Sequence, residues 1–187
     1  MDRTPELVRR CINGDPFAFE QLVREHMNTV LGLAYNYIGN FSIAEDVAQE
    51  TFVQAFQSLS SLRDGGRFKI WLLKIARNKC VDAIRQNPHW VSLDQSKELQ
   101  REVSQKSVTR NEDPAFEFSE DELLTALRSL RQDYREIFVM KHVDNLSYKE
   151  ISIVLGMTVS AVGEKLYRVR TMIREKLEEM KLGSEAS

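Results

Sequence analysis

Three rows of polar side chains in this chain have the spacing to grip something large. The first is Asp46, Gln49 and Glu50, continued by Gln57. Residues three and four apart share a helix face, so these form one acid-and-amide stripe, either a docking face for a protein or a plain solvated face. The second lies between Phe68 and Arg85. At about 100° per residue, Phe68, Leu72, Ile75, Ala76, Cys80 and Ala83 fall on one side, and Lys74, Arg77, Asn78 and Arg85 on the other. Trp71 stands at the border, and Arg67 extends the basic row. Cations that follow a phosphate backbone, edged by an aromatic that stacks on bases, suit single-stranded DNA. The third row follows Val159: Ser160, Gly163, Glu164, Tyr167, Arg168 and Thr171 face outward, with Lys165, Arg170 and Arg174 on the flanks. Cations, hydroxyls and short side chains in this mixture suit a DNA major groove, or else form the solvated charged face of a helical hairpin.

Each row needs a helix to hold it. Ser147 with Glu150 three residues on is a capping box, and Gly156 is a natural stop. The helix after it carries Val162, Leu166, Val169, Ile173, Leu177 and Met180 as one apolar stripe. Two helices joined by this short turn make a helix-turn-helix. Asp15-Pro16 opens a helix that runs to Tyr37 and stops at Gly39-Asn40, burying Phe19, Leu22, Val23, Val30, Leu33, Ala34, Tyr37 and Ile38. Ser42 and Glu45 read as a second capping box, for a helix to about Leu59 that buries Val47, Ala48, Thr51, Phe52, Ala55 and Phe56. Residues 58–67 form a Gly/Ser loop, and Ser119 with Glu122 opens a further helix to Leu130, followed by one from Tyr134 to Val143. No strand signal occurs. Residues 88–118 show no sustained period beyond a short helical patch at 95–105 and read as a flexible linker. The expected fold is all α: a domain at 1–87, the linker at 88–118, and a helix-turn-helix domain at 119–187.

Composition sets the bounds. The chain has 187 residues, 42% hydrophobic and 29% charged, which describes a soluble globular protein. No apolar run approaches the ~20 residues of a membrane span, and the first residues lack the form of a signal peptide, so a cytoplasmic location without membrane insertion is expected. Cys11 and Cys80 make no C-x-x-C, so neither a disulfide framework nor a zinc knuckle is expected, and His26, His89 and His142 lie among unrelated neighbours, so no metal or cofactor site is expected. The net charge of −2 hides its sorting, since residues 63–85 hold seven Lys/Arg against two Asp/Glu. That block is a localised anion site in an otherwise acidic chain.

Together these stretches resemble the bacterial sigma-70 family in its extracytoplasmic-function (ECF) branch. Ala44 to Phe52 is similar to that family's core-polymerase-binding segment, Phe68 to Asn78 to its promoter-melting segment, and Leu146 to Arg170 to its helix-turn-helix. The resemblance implies a sigma factor that binds core RNA polymerase through the clamp helices of the largest subunit and the flap of the second-largest. Asp46, Gln49 and Glu50 would face the clamp. Ser60, Ser61, Arg63, Arg67 and Phe68 would belong to a loop capturing a base flipped from the −10 strand. Trp71, Lys74, Arg77 and Asn78 would line the melted strand. Ser160, Gly163, Glu164, Lys165, Tyr167, Arg168, Arg170 and Arg174 would meet the −35 duplex. An anti-sigma factor is a further partner that the resemblance allows.

One departure stands out. Where the family commonly has a basic residue, a small hydroxyl residue and Arg, this chain has Gly163-Glu164-Lys165. Glu164 repels phosphates unless it accepts from a cytosine amino group or pairs with Arg168. Two rivals remain: a helix-turn-helix regulator that is not a sigma subunit, and a helical adaptor binding only protein. The first leaves the acid stripe and the basic Trp71 helix without a task.

Overall fold

The computed structural model describes residues 3–87 and 120–185, and among these every regular element is helical. The expected linker at 88–118, its helical patch at 95–105 and the Ser119 cap lie outside the described residues. Two compact units result, the first carried by α1–α4 and the second for the most part by α5–α8.

The first unit holds α1 (Thr4–Ile12), α2 (Pro16–Ile38), α3 (Phe41–Ser58) and α4 (Phe68–Gln86), with single turns of 3₁₀ helix at Leu59–Ser61 and Gly65–Arg67. Asp15 caps α2 by accepting from the Phe17 N–H at 3.0 Å, and Gly39 ends that helix in the left-handed conformation at φ 73°. Leu22, Val30, Ala34 and Ile38 of α2, Ala44, Ala48, Phe52 and Ala55 of α3, and Phe68, Leu72, Ala76 and Cys80 of α4 form the core. The many alanines permit close helix approach, so the three helices share one apolar centre.

Two expectations are corrected, and two features lie outside them. The cap of α3 is Asn40, whose Oδ1 accepts from the Ile43 N–H at 3.1 Å, rather than Ser42. Gly39 breaks the chain early enough to leave Asn40 extended, so the helix starts before Ser42 is reached. Phe56 is 56% exposed, its ring in edge-to-face contact with Phe19 at 4.9 Å. Leu73, off the expected stripe, is buried because α4 packs against both α2 and α3, which widens its apolar arc. Lastly, α1 was not anticipated. It buries Thr4, Leu7 and Val8, and its end is tied to α2 by Arg10, whose Nε and Nη2 donate to Asp15 Oδ2 at 3.0 and 2.6 Å.

The second unit holds α5 (Glu120–Ser129), α6 (Gln132–His142), α7 (Tyr148–Leu155) and α8 (Val159–Glu185). Both halves of the Ser147–Glu150 box form: the Ser147 N–H donates to Glu150 Oε2 at 2.7 Å, and the Glu150 N–H to Ser147 Oγ at 3.3 Å. Gly156 ends α7 at φ 67°, and Thr158 Oγ1 caps α8 by accepting from the Ala161 N–H at 3.2 Å. Val162, Leu166, Val169, Ile173 and Leu177 are buried, and α8 packs on α5 and α6 over Ala126, Ile137 and Met140.

Candidate functional site

On α3, Asp46, Gln49, Glu50 and Gln57 are all exposed on one face, as their spacing requires. With Val53 and Gln54 they line a shallow hollow of about 500 Å³ whose far wall is Lys79 of α4. Lys79 Nζ lies 3.2 Å from Glu50 Oε2. By helical projection Lys79 belongs on the apolar side of α4, so its place beside the acid stripe emerges only when α4 packs on α3. Exposed Val53 and Phe56 border the acids. A wide, open, mixed surface of this kind fits another protein better than a small molecule.

Between α3 and α4, Ser60, Ser61, Arg63 and Arg67 are exposed. Local bonds shape the segment: Ser61 Oγ donates to the Ser58 carbonyl at 2.6 Å, the Gly66 N–H donates to Asp64 Oδ1 at 3.0 Å, and Arg67 pairs with Asp64 at 3.3 Å. Phe68 is fully buried, against the His26 ring at 5.2 Å and the Trp71 ring at 5.9 Å. That corrects its expected place in a ligand-facing loop: as the first residue of α4 it points into the core, where its ring backs Trp71. Along α4, Lys74, Asn78 and Arg85 are exposed and Trp71 and Arg77 half-buried, which brings the basic row and its aromatic edge together. Arg85 shares its charge with Asp82 at 3.3 Å.

On α8, Ser160, Glu164, Arg168 and Arg174 are exposed, Tyr167 is 73% exposed and Arg170 is half-buried. Gly163 faces α7 instead: a Cβ built on it would lie 3.7 Å from the Tyr148 ring. Lys165 is committed inside the protein. Its Nζ lies 2.9 Å from Asp133 Oδ2 and 5.3 Å from the centre of the Tyr134 ring, both on α6. Burial pushes the Asp133 carboxyl up, but the hydrogen bond and charge of Lys165, helped by Arg131, outweigh it and hold the group below the usual carboxylate range. Among the described residues Glu164 makes no ion pair, so the pairing with Arg168 is not formed. The partners of Lys79 and Lys165 escaped sequence reasoning because each lies on a different helix.

Among the described residues no cluster of His, Cys, Asp and Glu could hold a metal ion, and no helix is long and apolar enough to cross a membrane.

Comparison with known proteins is consistent across the chain. Residues 22–88 match the family model for sigma-70 region 2, and residues 120–173 that for sigma-70 region 4. The RNA polymerase sigma factor CarQ of Myxococcus xanthus is 31% identical over 175 residues, covering 94% of this chain and 98% of CarQ. The ECF sigma factor SigW of Bacillus subtilis is 26% identical over 179 residues, covering 92% and 96%. Among solved structures, CnrH in complex with the cytosolic domain of CnrY superposes with a TM-score of 0.66 at 26% identity, covering 95% of this chain and 99% of CnrH. RpoE of Bartonella quintana, solved with the anti-sigma factor NepR, shares the fold with a TM-score of 0.61 at 22% identity, covering 86% and 96%.

Proposed function

Starting from the premise that the chain belongs to the sigma-70 family and is an ECF sigma factor, we propose how its three polar surfaces divide the work. The α3 stripe of Asp46, Gln49 and Glu50 docks on the clamp helices of the largest polymerase subunit, and the second unit sits at the flap of the second-largest. The domains are 1–87 for the first task and 119–187 for the second, with 88–118 as the tether. Residues 60–67 capture a base flipped from the −10 strand. Trp71 stacks at the edge of the melted strand, while Lys74, Arg77 and Asn78 follow its backbone. On α8, Ser160, Glu164, Tyr167 and Arg168 read base edges of the −35 duplex, and Arg170 and Arg174 hold phosphates. Lys165 joins them only by leaving Asp133.

The chain performs no catalysis; polymerase makes the phosphodiester bond, in the cytoplasm where both work. CnrH and RpoE were each solved with a bound partner, the latter named an anti-sigma factor. An anti-sigma protein that covers the same surfaces would keep this chain from polymerase.

The observation that carries this reading is the separation of charge across two packed helices. α3 presents exposed acids and α4 an exposed basic row edged by Trp71, so one small unit offers a protein face and a nucleic-acid face. The test combines purified chain, core polymerase and promoter fragments. Promoter-dependent open complexes are expected, and Asp46→Lys with Glu50→Lys should weaken core binding by about 10²-fold, since facing like charges costs several kcal/mol. Helicity and −35 duplex binding should be unchanged. Unaltered core affinity in that variant would overturn the docking face, and duplex binding without any open complex would favour the non-sigma regulator.

A further inference from the structure

Gly65 makes a close approach that the reading above does not use. Its φ is not among the positive values, which belong to Gly14, Gly39, Gly156 and Asn145, so the backbone does not demand glycine there. Space does. A Cβ at Gly65 would stand 3.0 Å from Pro5 Cα, 3.2 Å from the Pro5 carbonyl oxygen and 3.4 Å from Val8 Cβ. Two of those three atoms are backbone of α1 and cannot rotate away. α1 is itself firmly seated, with Thr4, Leu7 and Val8 buried and Arg10 bound to Asp15. It also precedes the residues 22–88 that match the region 2 family model.

The segment between α3 and α4 thus has three anchors. Leu59 at its start and Phe68 at its end are buried in the core, and Gly65 rests on α1 in the middle. The bonds from the Leu62 N–H to the Leu59 carbonyl and from the Arg67 N–H to the Asp64 carbonyl, both 3.0 Å, shape each turn but do not set where the segment stands. We infer that α1 is the platform that sets the position of the base-capturing segment, with Pro5, Leu7 and Val8 as positioning residues for −10 recognition. By receiving Gly65 against its backbone, α1 fixes the height at which Ser60, Ser61 and Arg63 meet the strand. This rests on the proposed base-capturing role of residues 60–67.

The test uses full-length protein and a single-stranded oligonucleotide covering the −10 region of a promoter that the wild type opens with core polymerase. Copies abasic at each position in turn are bound in parallel. The ratio of intact to abasic affinity reports base capture, and affinity for the abasic copy reports the phosphate-following row on α4. Gly65→Ala should lower that ratio about tenfold, in line with the 1–3 kcal/mol of one stacked base, while abasic affinity stays level. Leu7→Ala, which removes buried packing of α1, should do the same, and it decides the matter if Gly65→Ala does not fold. General destabilisation would lower both affinities together and leave the ratio intact; that result, or a full wild-type ratio in both variants, overturns the role of α1. If no abasic copy binds the wild type more weakly than the intact strand, the base-capturing reading itself fails and takes the inference with it.

Discussion

The two regions proposed to meet DNA are held in shape by opposite means. In the second unit, Ser147 and Glu150 start α7, Gly156 stops it and Thr158 starts α8, all within a dozen residues of sequence. In the first unit, the segment before α4 takes its position from Pro5 and Val8, and Trp71 is backed by Phe68, which leans on His26. A surface built from its own neighbours withstands substitutions elsewhere in the chain. A surface built on remote supports inherits their weaknesses.

The largest expected break in this comparison comes from separating support and contact on α4. Phe68→Ala empties a fully buried site and should cost about 3–5 kcal/mol in denaturant unfolding. Trp71→Ala, half-buried, should cost less stability but remove about 1–3 kcal/mol of single-strand binding. Equal destabilisation by both, with strand binding untouched in Trp71→Ala, would erase the distinction.

On the locally built surface the expected change is in selectivity. Glu164 is exposed and unpaired among the described residues, so it is available to a base. Glu164→Ala should then relax preference at one or two −35 positions by about 1–3 kcal/mol, read on a panel of single-base variants at one salt concentration. A uniform rise in affinity across the panel would instead mean that Glu164 only repels phosphates.

The smallest effect gives the sharpest contrast, because one kind of substitution should act with opposite sign in the two regions. Gly163 has ordinary space toward Tyr148, at 3.7 Å, and sits inside a helix. Gly163→Ala should stabilise the second unit by up to about 1 kcal/mol in thermal or denaturant unfolding, whereas Gly65→Ala strains the first. A destabilised Gly163→Ala would show that α7 and α8 need a closer approach than these distances imply.

What was legible in the sequence follows the same division. The Ser147–Glu150 box, the Gly156 stop, the apolar stripe of α8 and the exposed row on α3 depend on residues a turn or two apart, and periodicity reports them. α1 carries a pattern too short to stand out, and its value lies in contacts with a glycine some sixty residues on. The same limit applies to the Glu50–Lys79 and Asp133–Lys165 pairs, which no helical projection joins. Periodicity places Phe68 on the apolar side of α4 and the family resemblance places it in the capturing loop; packing follows the periodicity, because the ring is fully buried. Ser42 lost the cap of α3 to Asn40 because the left-handed turn at Gly39 reset the helix start.

Asp15 gives the first unit a sensitivity to acid that the Thr158 cap in the second does not share. One carboxylate both caps α2 and holds Arg10 of α1, and the Arg10 hydrogen bond and charge, with the backbone N–H groups of Phe17 and Ala18, keep it below the usual carboxylate range. A depressed carboxyl stabilises the fold fully above its unfolded value of about 3.9, and that contribution drains away as pH falls through the lower folded value. A single proton therefore weakens the start of α2 and the tether of α1 together. The Thr158 hydroxyl that caps α8 takes up no proton in that range, so acid below about pH 4 would loosen the seat of α1 while the start of α8 keeps its cap.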